Sequence, residues 1–236
     1  MSSDASVLPE VGNTEENLLF SSGGEWIPIS ASRFTRKTLG ISGFQVKPSS
    51  AEVGNKIDSV VISWSTNFPT NSSELNGETI FGEKTELNLQ YIDNNNEEGY
   101  LLNEKGSFKW NLKVTGDFNE SSTASGNLNF YYGVFTGSLD ANGVIDEAAI
   151  ESMSKSVRGS INGNYNIAPG VNQKMALAAP TSYSPLKQVK IDGNTYTWPK
   201  VATNIPVTNE YGVTTNYDVW MNEQITTVPC TITAVV

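Results

Sequence analysis

The feature that most constrains this chain is the stretch 106–114, in which polar and large apolar residues alternate. Phe108, Trp110, Leu112 and Val114 occupy every second position, with Lys or Asn between them. Successive side chains of a strand point to opposite faces, so this spacing predicts a strand with one buried and one solvated face. Such a strand must bury its apolar face against a second layer of structure.

Similar short runs recur along residues 37–130, where turn residues separate them. The run 57–65 predicts a strand with Val60, Ile62 and Trp64 pointing inward, and Asn76-Gly77 predicts a hairpin turn. Short strands spaced roughly 8 to 12 residues apart are typical of antiparallel sandwiches. We therefore predict an immunoglobulin-like β-sandwich over 37–130, with Trp64 in its core.

Residues 131–236 predict a second, β-rich domain of the α+β type. A helix is predicted over about 146–158, capped by Asp146 and presenting Ile150, Met153 and Val157 on one face. A helix this short is not stable alone, so it must lie on a sheet. The strands predicted around it are 161–167, 173–179, 189–191, 195–198, 216–221 and 230–235.

Residues 1–36 predict an extended N-terminal arm that precedes the first domain. The arm is polar and acidic at its start and then carries isolated apolar residues, which form a candidate assembly interface: Leu18, Leu19, Phe20, Trp26 and Ile29. An arm of this kind packs either on a neighbouring subunit or on its own domain. We predict docking on a neighbouring subunit.

Histidine is absent from the sequence, which removes the commonest general base and the commonest zinc ligand. The single cysteine, Cys230, excludes an internal disulfide, and its Pro/Thr/Ile/Val surroundings predict a small buried apolar residue. Neighbouring carboxylates at 15–16, 97–98 and 146–147 are interpreted as solvated charge. We predict no enzyme, no metal and no cofactor, although a hydrolase built on carboxylates alone stays open.

Lys and Arg number 15 against 25 Asp and Glu, giving a net charge of −10. That balance argues against nucleic acid as a partner, because phosphate neutralisation requires basic surface. No apolar run approaches the roughly 18 residues of a membrane helix, and no secretory signal is visible. We therefore expect a protein made in the cytosol that does not insert into membranes.

One loop partly follows the spacing of a calcium-binding loop, with Asp93, Asn95, Glu97 and Glu104 at positions 1, 3, 5 and 12. Its glycine, Gly99, falls one residue late, and no helices are predicted on either side. The pattern therefore favours a solvated hairpin loop over a calcium site.

Aromatic residues are frequent in the second half, and Tyr196, Trp198 and Trp220 are the candidates for a ligand-facing, sugar-stacking surface. The alternative is that they belong to the core, because several aromatics of this region alternate with polar residues at the strand period.

Two groups of segments carry a resemblance to a known class of protein. The first comprises 41–48, 52–54, 59–67 and 130–133, and the second comprises 174–183 and 217–220. Together, over about 40–236, they resemble immunoglobulin-like modules and appended β domains of tailed-bacteriophage virion proteins of the fibre, baseplate and neck type. The resemblance implies a structural role and transfers no catalytic residues.

The predicted function is a non-enzymatic structural component of a tailed-phage particle, most specifically of its tail, fibre or baseplate. Its expected partners are other virion proteins and copies of itself, with a homotrimer favoured. Its expected location is the virion. Two alternatives stay open: a carbohydrate-binding module that attaches to glycans of the host surface, and a capsid decoration or head-fibre protein.

Overall fold

The computed structural model describes residues 38–81, 84–90, 99–116 and 119–236 in full, and the backbone of two N-terminal strands. These strands, β1 (Asn17–Ser22) and β2 (Glu25–Ser30), pair antiparallel as a hairpin. Part of the arm predicted over 1–36 thus forms a two-stranded hairpin. The side chains of the predicted interface residues Leu18, Leu19, Phe20, Trp26 and Ile29 lie outside the described residues.

The first sandwich consists of eight strands in two sheets. The strands are β3 (Ile41–Lys47), β4 (Ser50–Glu52), β5 (Ser59–Thr66), β6 (Ser72–Leu75), β7 (Glu78–Ile80), β8 (Glu86–Gln90), β9 (Gly106–Thr115) and β10 (Ser121–Tyr131). The sheet orders are β3-β5-β8 and β4-β10-β9-β6-β7. All pairs are antiparallel except β4 with β10. The two sheets stack as a mainly antiparallel β-sandwich, in agreement with the predicted fold class.

Period-two alternation builds the core of the first sandwich. The inward residues of β5, Val60, Ile62 and Trp64, are buried, and they share one cluster with Leu112 and Val114 of β9. Because the two strands belong to opposite sheets, this cluster is the layer between the sheets. The inward set predicted for β5 is confirmed.

The second sandwich follows directly and consists of nine strands. They are β11 (Gly133–Asp140), β12 (Ser154–Val157), β13 (Gly163–Ile167), β14 (Gln173–Pro180), β15 (Gln188–Ile191), β16 (Asn194–Tyr196), β17 (Lys200–Thr208), β18 (Thr214–Met221) and β19 (Cys230–Val235). The sheet orders are β12-β11-β14-β18-β17 and β13-β19-β15-β16. The chain is thus mainly β, with one short helix among its described residues.

The five-stranded sheet of the second sandwich is covered on both faces. Leu177 and Trp220 pack towards the four-stranded sheet, whereas Ala178, Val219 and Ile150 form a separate cluster on the opposite face. Burial on both faces explains why the central strands β14 and β18 contain continuous apolar runs instead of an alternating pattern.

The helix predicted over about 146–158 is much shorter than expected. Helix α1 spans Glu147–Glu151, and the Asp146 side chain caps it by accepting a 2.9 Å hydrogen bond from the backbone N–H of Ala149. Residues beyond it form β12, which pairs with β11. Serines at 152, 154 and 156 are weak helix formers, so strand pairing prevails over the helical spacing of Met153 and Val157.

Strand β17 was not predicted, because it is an exposed edge strand with an irregular register. The buried Asp218 of β18 accepts hydrogen bonds from Lys200 and from Thr203, the latter at 2.5 Å. Burial alone would raise the pKa of the Asp218 carboxyl, but these hydrogen bonds and the charge of Lys200 outweigh it and lower the pKa. Asp218 therefore holds the irregular part of β17 to the sheet.

Among the helices of the described residues, none has the length and apolarity required to cross a membrane.

Candidate functional site

The three aromatic residues predicted to face a ligand have different environments. The side chain of Tyr196 is 46% exposed, whereas Trp198 and Trp220 are buried. Tyr196 and Trp198 line the same cleft. Trp220 packs between the two sheets of the second sandwich, so its interpretation as a ligand-facing residue is wrong. The physical reason is that Trp220, near the C-terminal end of β18, faces the four-stranded sheet and joins the core between the two sheets.

The aromatic cleft lies between the β15–β16 hairpin and the segment 222–228, which joins β18 to β19. Its volume is about 340 Å³, and Met175, Trp198 and Cys230 belong to its buried and half-buried lining. A turn at Asp192-Gly193, both with positive φ, forms the tip of the hairpin wall. The contribution of 222–228 to the cleft was not predicted from the sequence.

The cleft is electrostatically negative. Asp192 and Glu223 line it, and among the described residues no Lys or Arg belongs to its lining. Burial raises the pKa of the Cys230 thiol, and the Asp192 carboxylate raises it further. Cys230 Sγ lies 3.3 Å from Met175 Sδ. A neutral thiol in contact with a thioether is a packing element of the cleft and a poor nucleophile.

A second candidate site is the joint between the two sandwiches, formed by Glu52, Val53 and Gly54 of the first and Lys155, Asn209 and Glu210 of the second. Lys155 Nζ lies 2.8 Å from Glu52 Oε2 and 3.2 Å from Glu210 Oε1. The Glu52 side chain is 6% exposed. Burial alone would lower the pKa of Lys155, but its hydrogen bonds to the two carboxylates outweigh burial and raise it.

Backbone contacts reinforce the joint beside this ion cluster. Asn209 Nδ2 donates a 2.7 Å hydrogen bond to the carbonyl of Val53 across the sandwiches. Gly54 has a φ of 86°, and a Cβ there would lie 2.7 Å from Cγ2 of Val213. Any other residue at position 54 would therefore strain the backbone and force the side chains of Val213 and Tyr211 in the second sandwich to shift.

The side chain of Tyr183 forms the other side of the joint. The Tyr183 hydroxyl donates a 2.7 Å hydrogen bond to the Arg158 carbonyl and accepts one of 3.1 Å from the Tyr132 N–H. Lys105 of the first sandwich lies 4.6 Å from the centre of the Tyr183 ring and donates to the carbonyl of Gly159. Burial raises the pKa of Tyr183 to about 12.

This shift predicts a loss of stability at alkaline pH. The neutral phenol is favoured in the folded state, because the pKa of Tyr183 is higher there than in the unfolded chain. Its contribution to the free energy of unfolding is therefore complete below pH 10.0 and disappears as the pH rises to about 12. A shift of two pH units corresponds to about 3 kcal/mol. Urea unfolding from pH 8 to 12 should show this decline. In Tyr183→Phe the decline should be smaller by about that amount, and an unchanged pH profile would contradict the assignment.

Of the neighbouring carboxylate pairs considered in the sequence analysis, the described pair at 146–147 has structural hydrogen-bond partners. Asp146 caps α1, and Glu147 Oε1 accepts a 2.7 Å hydrogen bond from the Thr208 N–H. Residues 15–16 and 97–98 lie outside the described residues, as do Asp93 and Asn95 of the calcium-like spacing. Within the part of the chain that is described, no group of three or more His, Cys, Asp or Glu could hold a metal ion.

Comparison with known proteins does not assign this chain to a family. No family model and no curated protein matches it. One solved structure that resembles it is described as "Bacteroides ovatus mixed-linkage glucan utilization locus (MLGUL) SGBP-B in complex with mixed-linkage heptasaccharide". The TM-score is 0.19 at 12% identity, over 84% of this chain and 44% of that chain. This chain thus spans less than half of the other, and the likeness is too weak to carry an argument.

The joint was missed at the level of sequence because its members are far apart. Glu52 and Lys155 are separated by 103 positions. Each looks like an ordinary surface charge when the sequence is read locally. Only the topology, which places β4 near β12 and the β17–β18 turn, brings them together. The one feature of the local sequence that could have indicated the joint was Gly54, because a glycine is often required where two segments approach closely.

Proposed function

We propose that this chain is a non-enzymatic structural component of a tailed-bacteriophage particle, in the tail, fibre or baseplate, where it acts as a rigid spacer. The observation that carries the proposal is the joint. A buried carboxylate, a shared lysine and a side chain to backbone hydrogen bond connect the two sandwiches. Their direct connection at Tyr132 leaves no flexible linker between β10 and β11.

A joint that restricts motion between two domains of one chain is uncommon, and it therefore supports a role as a spacer between neighbouring subunits. Domains joined within one chain move relative to one another by default, unless their interface is large and hydrophobic. Here Val213 of the second sandwich packs against the apolar core of the first, and the directional bonds of Lys155 and Asn209 add to the restriction of that motion. A particle component must hold its neighbours at a fixed distance and angle, and such a joint supplies both.

The N-terminal hairpin supports docking on a neighbouring subunit. A two-stranded hairpin is marginally stable in water by itself, so it requires something to pack against. The register places Leu18 opposite Ile29 and Phe20 opposite Ile27. The five apolar residues of the predicted assembly interface, Leu18, Leu19, Phe20, Trp26 and Ile29, all belong to these two strands. We propose that this hairpin contacts the neighbouring virion subunit.

Incorporation into particles tests the proposal. The full chain, a chain lacking residues 1–36 and the variant Phe81→Ser are each supplied to particle assembly, and purified particles are examined by immunogold labelling. Phe81 is 82% exposed and serves as the control for removing a surface apolar group. The full chain and Phe81→Ser should be incorporated and the truncated chain lost. Full incorporation of the truncated chain would contradict docking through the hairpin, and absence of the full chain would contradict the virion role.

A further inference from the structure

The aromatic cleft continues into a second depression, and together they form one elongated surface. The second depression has a volume of about 480 Å³ and lies over Asn166 and Thr231 of β13 and β19. Asp192, Val228 and Cys230 line both depressions. The surface is therefore longer than one compact pocket and fits an extended ligand better than a single small one.

The surface is amphipathic, with apolar groups at its rim and neutral polar groups along its length. Val228 is 67% exposed and Tyr196 is 46% exposed, and both border the aromatic cleft. Thr197, Gln224 and Thr226 contribute hydroxyl and amide groups to the same lining. Exposed apolar groups beside convergent polar groups are the usual composition of a ligand site.

The charge of the surface restricts the ligand further. Asp192 and Glu223 are the ionisable carboxylates of the aromatic cleft, and neither depression has Lys or Arg in its lining. An anionic ligand would meet uncompensated negative charge. A neutral polyhydroxyl ligand meets hydrogen-bond acceptors in the carboxylates and an apolar ring face in Tyr196.

We propose that this surface binds a neutral oligosaccharide, with one sugar ring stacked on Tyr196 and its hydroxyls donating to Asp192 and Glu223. The adjoining depression over Asn166 and Thr231 holds the next sugar units. The proposal does not depend on the spacer role, because the cleft belongs to the second sandwich alone.

The test uses the full chain on an array of neutral, sialylated and uronic-acid oligosaccharides. Calorimetric titration follows with the bound tetrasaccharide and its monosaccharide. Neutral glycans alone should bind, and the tetrasaccharide should bind at least tenfold more tightly than the monosaccharide. The intrinsic tryptophan fluorescence of the full chain should change on binding, because Trp198 lines the cleft.

Matched variants identify the site. Tyr196→Ala should weaken binding of the tetrasaccharide at least tenfold, whereas Tyr196→Phe should retain it. Tyr211→Ala is the control, because Tyr211 is 41% exposed and does not line either depression. Asp192→Asn should weaken neutral binding several-fold and admit sialylated glycans.

Three results would overturn the proposal: no neutral glycan bound at millimolar concentration, equal binding by Tyr196→Ala, or binding of tetramethylammonium instead of sugars. The last would assign the carboxylates and aromatic rings to a cation site. Each result is independent of whether the chain is incorporated into particles, so failure of one proposal leaves the other intact.

Discussion

Replacing Trp220 with alanine is expected to destabilise the second sandwich by about 3–5 kcal/mol, the usual cost of removing a large buried aromatic side chain. Trp220 is 4% exposed and contacts the core between the two sheets. The variant leaves a cavity that the paired strands β14 and β18 cannot close. Calorimetric unfolding of the full chain measures the change.

Tyr196→Ala is the matched control for this substitution. Tyr196 is exposed at the edge strand β16, so its removal should change the free energy of unfolding by less than about 0.5 kcal/mol. A small change in the free energy of unfolding for Trp220→Ala would contradict its place in the core. A large change for Tyr196→Ala would contradict its exposed position in the cleft.

Replacing Lys155 with alanine is expected to cost about 2–3 kcal/mol. Removing one partner of a buried ion pair leaves an uncompensated charge, here Glu52, and the fully buried case costs about 3–5 kcal/mol. The Lys155 side chain is 31% exposed, so solvent reduces the effect. Urea unfolding monitored by circular dichroism at pH 7 gives the free energy of unfolding.

Lys113→Ala is the control for Lys155→Ala. Lys113 Nζ lies 3.8 Å from Glu74 Oε2, with side chains 49% and 34% exposed. Exposed pairs of this kind contribute about 0–1 kcal/mol, so the control should be nearly neutral. Equal effects of the two substitutions would show that the joint is no stronger than a surface ion pair.

Much of the sheet structure could be predicted from local sequence, because period-two alternation directly reports which residues face a core. The strands around Trp64 and Leu112 were found in this way, whereas the hairpin turn at Asn76-Gly77 was found from its residue types. The prediction was least accurate where two local preferences competed. At 152–157 the spacing of apolar residues favoured a helix, but pairing with β11 gave a strand.

The candidate sites were less predictable than the strands because they depend on contacts between distant segments. Tyr196 and Trp198 were identified as ligand-facing candidates from their residue type, but the opposite wall, 222–228, contains no regular strand or helix. Trp220 has the same residue type as Trp198. The sequence does not reveal that its sheet is covered on both faces.

The central claim is that the two sandwiches form one rigid spacer, and a distance distribution between them tests it most directly. Spin labels at Glu78→Cys in β7 and Thr195→Cys in β16, both exposed, are placed in a Cys230→Ser background and measured by pulsed electron paramagnetic resonance. The account predicts a single narrow distance that matches the structure. A broad or bimodal distribution would show that the joint allows free reorientation and would contradict the spacer role.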